Sequence, residues 1–366
     1  LNRKPITEIY FIRFIACISV VLIHSMTLTQ SNYQLPELTV DSFYMIKLAM
    51  MYATPLFVML SEFLLSYSYP DRLPKSFWKK RLLYIFVPYL VIAMLYSLYP
   101  WYLYGWELQK VLNTFFDKAA LGLWHGYFVL IIFQFYALHY VMKKYFDRFS
   151  AKYVILISLI INALYLSFFN FMSGHDFPAI AGFWNYYKLP FVGWIFYFTV
   201  GYYAGKHIDT FVEMITKYKK WIYTGVIVTV AFPLTMEYTD SIRLVSSKRP
   251  DILLYTVFVF CALYLIAKRI KVMPKFVMIV SSYSYSIYLL HLLVMYNVTR
   301  YLKDIPIYIN MGVYVVILFL AGIVGSILIS YLISFLPFGQ FMVGKVNRPK
   351  VKPAPVAESQ NQPIHT

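Results

Sequence analysis

The run Glu8-Ile-Tyr-Phe-Ile-Arg13-Phe-Ile-Ala-Cys-Ile-Ser-Val-Val-Leu-Ile-His24-Ser25 decides how the rest of the chain is read. With its continuation to Thr29 it has the length of a bilayer-crossing helix, about 20 mostly apolar residues. Arg3 and Lys4 precede it, as basic residues precede the core of a secretory signal. No small-residue cleavage site follows, and Arg13 is embedded in the run, so the expectation is a retained first transmembrane helix. Arg13 and His24 are eleven residues apart, which is three helical turns plus about 20°. They share one face, about 16 Å apart along the axis.

The composition supports extending this reading along the chain. Of 366 residues, 60% are hydrophobic and 13% charged, about half the charged share of a soluble domain. A soluble fold of this length has too much exposed surface for so little polar cover. The expected class is an all-α integral membrane protein. Ten candidate spans lie near 10–29, 47–67, 82–104, 120–141, 153–171, 189–205, 221–236, 251–267, 276–297 and 307–336. The tenth is long enough to tilt strongly or to break near Gly322 or Gly325. Loops reach about 17 residues at most, so residues 1–345 are expected to form a single transmembrane domain. The Lys/Pro-rich and then Gln/Asn-rich tail, 346–366, is expected to be a disordered cytoplasmic segment.

The net charge of +17 would suggest nucleic acid on a soluble protein. Here the cations lie between apolar blocks and follow the positive-inside rule. With the N-terminus inside, 23 Lys and Arg residues fall on one side and 8 on the other. That split supports ten spans with both termini cytoplasmic. Cys17 and Cys261 lie in apolar runs, with no disulfide framework and no Cys/His zinc spacing. No Walker loop, HExxH motif or matched pair of broken helices is evident, and no metal site is expected.

Ionisable groups inside spans are costly and are where chemistry is sought. Arg13 near the inner mouth would suit an anion, and His24 deeper in the span would suit proton transfer. The alternative is a snorkelling Arg and a packed, hydrogen-bonded His. Glu62, in Leu56-Phe-Val-Met-Leu-Ser-Glu-Phe-Leu-Leu65, lies near the level of Arg13, and an ion pair between them is the expectation. Arg72, Lys75, Lys79, Lys80 and Arg81 crowd one inner loop. They either set topology or hold a polyanionic cytosolic ligand. Trp124-His125-Gly126-Tyr127 reads first as an interfacial aromatic belt and second as a surface on which sugars stack. Ser284, Tyr288 and His291 make a polar stripe at i, i+4 and i+7, either a packed seam or a substrate contact.

Together these motifs resemble the acyltransferase-3 family of multispan membrane acyltransferases. The resemblance rests on Arg13 and His24 with ten residues between them, and on Leu56–Leu65, similar to the family's FFxLSGFLL. It rests also on the basic run ending in Arg81 followed by Pro88-Tyr89, on Trp124…Gln134-Phe-Tyr136, and on Ser284-Tyr-Ser-Ile-Tyr-Leu-Leu-His291. Gly193-Trp-Ile-Phe-Tyr-Phe-Thr-Val-Gly201 and Gly126-Tyr-Phe-Val further resemble the branch containing the biofilm intercellular-adhesion polysaccharide protein, described both as an exporter and as an O-acylating enzyme. Glu62 departs from the family's usual Gly after Ser61.

The resemblance implies transfer of an acyl group, commonly acetyl, from cytosolic acyl-CoA to a hydroxyl of an extracytoplasmic glycan. His24 would be general base or acyl relay, and Arg13 would meet donor phosphate or a developing oxyanion. Arg72, Lys79, Lys80 and Arg81 would bind the donor. Tyr288, His291, Trp124 and Glu62 would support the site or contact the acceptor. The expected partners are acyl-CoA, a surface carbohydrate and the lipid bilayer, with no bound cofactor and no nucleic acid. The competing readings are a polysaccharide exporter for a poly-N-acetylglucosamine-like polymer and a bundle without substrate.

Overall fold

A computed structural model describes residues 5–70, 72–146, 148–239, 244–306 and 309–346. Arg3, Lys4, Arg243, Arg348, Lys350 and Lys352 lie outside them, as does the tail beyond Val346 that was expected to be disordered. The described residues form helices and connecting turns, with no strand among them. In chain order the helices are α1 (Glu8–Asn32), α2 (Glu37–Ala49), α3 (Ala53–Ser68), α4 (Phe77–Arg81), α5 (Val87–Tyr104) and α6 (Leu108–Ala119). They continue with α7 (Phe128–Phe146), α8 (Ala151–Phe171), α9 (Ile195–Lys206), α10 (Ile208–Lys217) and α11 (Lys219–Tyr238). The last five are α12 (Ile252–Ala267), α13 (Lys275–Ser282), α14 (Ser284–Lys303), α15 (Met311–Ile333) and α16 (Gly339–Val343).

Burial along α8 shows which solvent the fold is built for. Its buried positions are Ser158, Asn162 and Leu166, four residues apart, while Leu156, Ile157, Ile160, Ile161 and Leu164 face outward. The inward polar groups join α8 to α9, Ser158 Oγ to Thr199 Oγ1 at 2.6 Å and the Phe196 N–H to Asn162 Oδ1 at 3.2 Å. A helix with polar groups inside and leucines outside is stable in lipid, where side-chain hydrogen bonds join neighbouring helices. The exposed faces of α15 are equally apolar, with Val313, Val316, Leu320, Val324 and Leu328 outward. The protein is a multi-pass membrane protein.

Six helical segments among the described residues are long and apolar enough to cross a membrane, or seven if α13 and α14 are one bent span. Helices underlie the other expected segments too, but α9 and α12 have 12 and 16 residues. They run roughly 18 and 24 Å, short of the ~30 Å hydrocarbon core. Two of the expected segments have a particular shape. The 276–297 segment is not one straight helix, because α13 and α14 meet at 75° across Tyr283. Conversely α15 runs unbroken through Gly322 and Gly325. Those glycines make room for Met295 and Val294 of α14 instead.

α1 lies inside the bundle and packs against α3, α12, α13, α14 and α15. The most extensive helix–helix contact among the described residues is between α3 and α9. There Gly201 and Gly205 lie against the Met59 and Phe63 carbonyls, with no space for a Cβ, a small-residue contact of the kind that lets membrane helices meet backbone to backbone. Between α4 and α5, residues Leu82–Phe86 form a wide π-helical turn in which the Val87 N–H donates to the Leu82 carbonyl. Pro88, which lacks an N–H, follows at once, and the Tyr285 hydroxyl of α14 donates to the Ile85 carbonyl at 2.5 Å. α6 and α10 are short amphipathic helices. α6 turns Leu108, Leu112 and Phe116 outward, as a helix lying along a membrane interface does.

Candidate active site

The polar groups of the core gather at two places along α1. At its N-terminal end Arg13 lies within electrostatic reach of Arg81 and the Tyr136 hydroxyl. The Arg81 guanidinium stacks 5.1 Å from the Phe77 ring centroid and 5.2 Å from that of Tyr136, a favourable placement for a cation among aromatic faces. Neither arginine has a carboxylate within salt-bridge distance among the described residues. Two guanidiniums facing one tyrosine without a counter-charge form a site suited to an anion.

The expected Glu62–Arg13 ion pair is not formed. Glu62, fully buried on α3, pairs with His139 of α7, Oε1 to Nδ1 at 2.6 Å. Tight α3–α9 packing at Gly201 fixes the Glu62 backbone, and the carboxylate turns toward α7. That leaves the Arg13 charge uncompensated.

Three turns along α1, three imidazoles meet. The His24 ring centroid lies 5.1 Å from that of His291 and 6.4 Å from that of His125, and His125 and His291 are 5.3 Å apart. His291 Nδ1 is 2.8 Å from the Ile287 carbonyl oxygen, one turn back on α14. A carbonyl only accepts, so Nδ1 carries the hydrogen and donates. In the neutral ring Nε2 is then an acceptor, and it has no hydrogen-bond partner among the described residues. The Tyr288 hydroxyl donates to the His125 carbonyl, and the Tyr288 ring lies 5.7 Å from the His125 imidazole.

His125 enters through a short 3-10 turn, His125–Tyr127, that starts α7. Trp124 before it is extended, and its indole occupies the space a side chain at Gly126 would need. Trp124 does not belong to an interfacial belt. Its ring packs inward, 5.4 Å from Tyr89 and 5.2 Å from Tyr96, and its Nε1 donates to the Tyr89 hydroxyl at 3.4 Å. Trp124, Tyr96 and Tyr288 thus wall the histidine cluster. No group of His, Cys, Asp and Glu side chains suited to a metal ion occurs among the described residues.

A family model described as an acyltransferase domain matches residues 6–334, the region holding both ends of this site. The chain belongs to the acyltransferase-3 family. A Bacillus subtilis protein named as the membrane-bound acyltransferase YfiQ is 38% identical over 95% of the chain and 96% of its own length. A Staphylococcus aureus protein named as a poly-beta-1,6-N-acetyl-D-glucosamine export protein is 26% identical over 94% of the chain and 97% of its own length. A Staphylococcus epidermidis protein of the same name is 28% identical over 82% of the chain and 84% of its own length. No solved structure matches the chain significantly.

Within this acyltransferase-3 protein the expected site residues other than Glu62, which pairs with His139, separate into three groups. His24, His291, Tyr288 and Trp124 come together around His125. Arg13 and Arg81 come together around Tyr136. Arg72, Lys79 and Lys80 stay exposed at the loop surface, where Arg81 alone of the basic run turns inward. His125, Tyr136 and His139 were not expected as site residues. Tyr136 and His125 sat inside quoted motifs, whereas nothing in the sequence marks His139 apart from being a lone histidine in an apolar helix.

Proposed function

We propose that this acyltransferase-3 protein is a membrane-bound O-acyltransferase that moves an acyl group, acetyl in the simplest case, from cytosolic acyl-CoA to a hydroxyl of an extracytoplasmic glycan. The observation that carries the reading is the placement on α1 of an uncompensated arginine site at one end and a histidine cluster at the other. The two are separated by about 16 Å of helix. A donor with anionic phosphates and a flexible thioester arm suits that separation. Arg13 and Arg81 would take up the phosphates, drawn in through exposed Arg72, Lys79 and Lys80. The thioester would reach His24.

The acceptor oxygen attacks the thioester carbonyl, the O–C bond forms and the C–S bond breaks. His24 takes the hydroxyl proton as general base and returns it to the departing thiolate. His291, its tautomer held by the Ile287 carbonyl, keeps Nε2 as an acceptor within the cluster. In this reading the protein has ten spans in the cell membrane with both termini cytoplasmic. The Arg72–Arg81 loop then faces the donor, and the turn before α7 faces the acceptor. Residues 1–345 act as one transmembrane domain and 346–366 as a cytoplasmic tail.

The test replaces His24 with Ala, verifies unchanged protein level in the membrane, and measures ester-linked acyl groups on surface glycan. Wild-type acyl content in H24A overturns the proposal. Export of a polysaccharide is the second reading. Its support is the export-protein name of the staphylococcal relatives and the 75° break between α13 and α14, since broken helices line transport sites. It requires that deletion of the gene remove surface polymer itself, while H24A leaves the polymer present.

A further inference from the structure

A second pair of cations without counter-charge lies at the end of the bundle opposite the basic loop. Lys188, between α8 and α9, and Lys248, between α11 and α12, approach the same aromatic ring. Their Nζ atoms are 5.2 and 5.5 Å from the Tyr127 centroid. Both side chains are half-buried. Like charges held over one ring repel each other, so something must fix them there.

The fixing elements belong to the backbone on each side. The Trp194 indole N–H donates to the Lys188 carbonyl at 2.8 Å. Asn170 Nδ2 donates to the Lys248 carbonyl at 2.9 Å, and the Lys248 N–H donates to Ser246 Oγ at 3.2 Å. The Tyr127 hydroxyl is hydrogen-bonded to the Ser247 side chain. The carboxylates that could neutralise the lysines are engaged elsewhere. Asp251 accepts from Arg249 Nε at 3.1 Å and Nη2 at 2.6 Å, and Glu237 lies 3.9 Å from Arg249 Nη1. Burial, with no opposing charge, pushes the Lys248 ammonium down to about 8.

We infer that Lys188, Lys248 and the Tyr127 ring form an anion-binding subsite for the acceptor, which therefore carries a phosphate or carboxylate group on its sugar. The subsite is two residues from His125 along the chain, so an acceptor anchored there presents its hydroxyls beside the histidine cluster. The lysine pair also disfavours a polymer with free amino groups, whose ammonium charges it would repel. The inference rests on the acyl-transfer reading for the word acceptor, but the binding site does not require that any transfer occur.

The experiment uses the full chain in nanodiscs of zwitterionic lipid. Binding of N-acetylglucosamine 6-phosphate, glucuronate and uncharged N-acetylglucosamine is measured by intrinsic fluorescence for wild type, K188Q/K248Q, K188R/K248R and R81Q. The charged sugars are expected to bind more tightly than the neutral one. Their affinity should fall roughly tenfold or more in K188Q/K248Q, as expected when two charge-assisted contacts are lost, and be kept in K188R/K248R. R81Q removes a cation from the other anion site, so loss of the preference for charged sugars in R81Q but not in K188Q/K248Q assigns their binding to the arginine end and overturns the inference. Equal affinity for charged and neutral sugars overturns the inference, as does wild-type affinity in K188Q/K248Q. A further result also overturns it: charged sugars inert, with the double variant differing from wild type only in binding of phosphatidylglycerol added to the nanodisc lipid, which assigns the lysines to lipid headgroups. Because no acyl donor is present, failure here leaves the H24A result untouched, and the reverse holds too.

Discussion

The two ends of α1 solve the same problem, polar groups inside a membrane protein, in opposite ways. At the Arg13 end two guanidiniums are brought together and left without a carboxylate, although one is close by in the fold, tied to His139. At the His24 end three rings that can each be neutral pack tilted or edge to face among Tyr96, Trp124 and Tyr288. The first arrangement is costly unless an anion arrives. The second is comfortable when empty and has unpartnered nitrogens with which to handle a proton. The contrast teaches that the charged end is built to hold something and the aromatic end to change something.

Substitutions sharpen or break that division. The largest effect is expected for His24→Ala. Loss of a positioned base costs roughly 10²- to 10⁴-fold in transfer rate with little change in donor affinity, readable as kcat falling while KM for acyl-CoA holds. A variant in which KM rises and kcat survives would move His24 to the binding side of the comparison. Next comes His139→Leu, which strands the buried Glu62 carboxylate. Removing one partner of a buried pair costs about 3–5 kcal/mol, so the membrane-extracted protein should melt well below wild type. The double variant E62G/H139L should recover most of that loss. If the double variant stays as damaged as H139L, Glu62 also serves the arginine end.

Arg81→Gln is expected to remove one charge-assisted contact, about 1.5–3 kcal/mol, seen as a rise in KM for acyl-CoA of roughly 10- to 100-fold. Lys79→Gln and Lys80→Gln, on exposed side chains, should shift KM far less and mainly under low salt. Equal effects for Arg81 and Lys80 would dissolve the distinction between an inward and an outward cation. The smallest effect concerns pH at the lysine pair. Lys248 is protonated below about 8, and Lys188 beside it is lowered too, first by burial and then by the Lys248 charge. A sugar phosphate already carries nearly its full charge at pH 7, so its affinity should hold from pH 6.5 to 7 and fall as pH passes 8 toward 9. An affinity that rises over that range would contradict a site made of ammonium groups.

The bundle and much of the site could be read from residue spacing. Arg13 and His24 share a helix, and eleven residues decide their relative phase and depth without help from the rest of the fold. The Ser284–Tyr288–His291 stripe is similarly local, and it reaches His24 as its polar periodicity suggests. The Glu62–His139 pair was hidden because its two halves are 77 positions apart on helices whose contact depends on how α3 seats against α9. Trp124 was misplaced because tryptophan at a helix end usually marks an interface, and only the space vacated at Gly126 turns its ring inward. Arg81 could not be told from Lys79 and Lys80 because the helix changes pitch immediately after it.

That change of pitch has its own consequence. A π-helical turn holds one more residue than an α-helical one, so Leu82–Phe86 works as a phase shifter between two rigid rods. In a plain α-helix each residue turns the chain by about 100°. Shortening the turn by one residue would therefore rotate the Arg81 guanidinium away from Tyr136 while Tyr89 and Tyr96 stayed against Trp124. The arginine end and the aromatic wall are thus set independently, and their relative orientation is carried by the length of the backbone between Arg81 and Pro88 rather than by any one side chain in it.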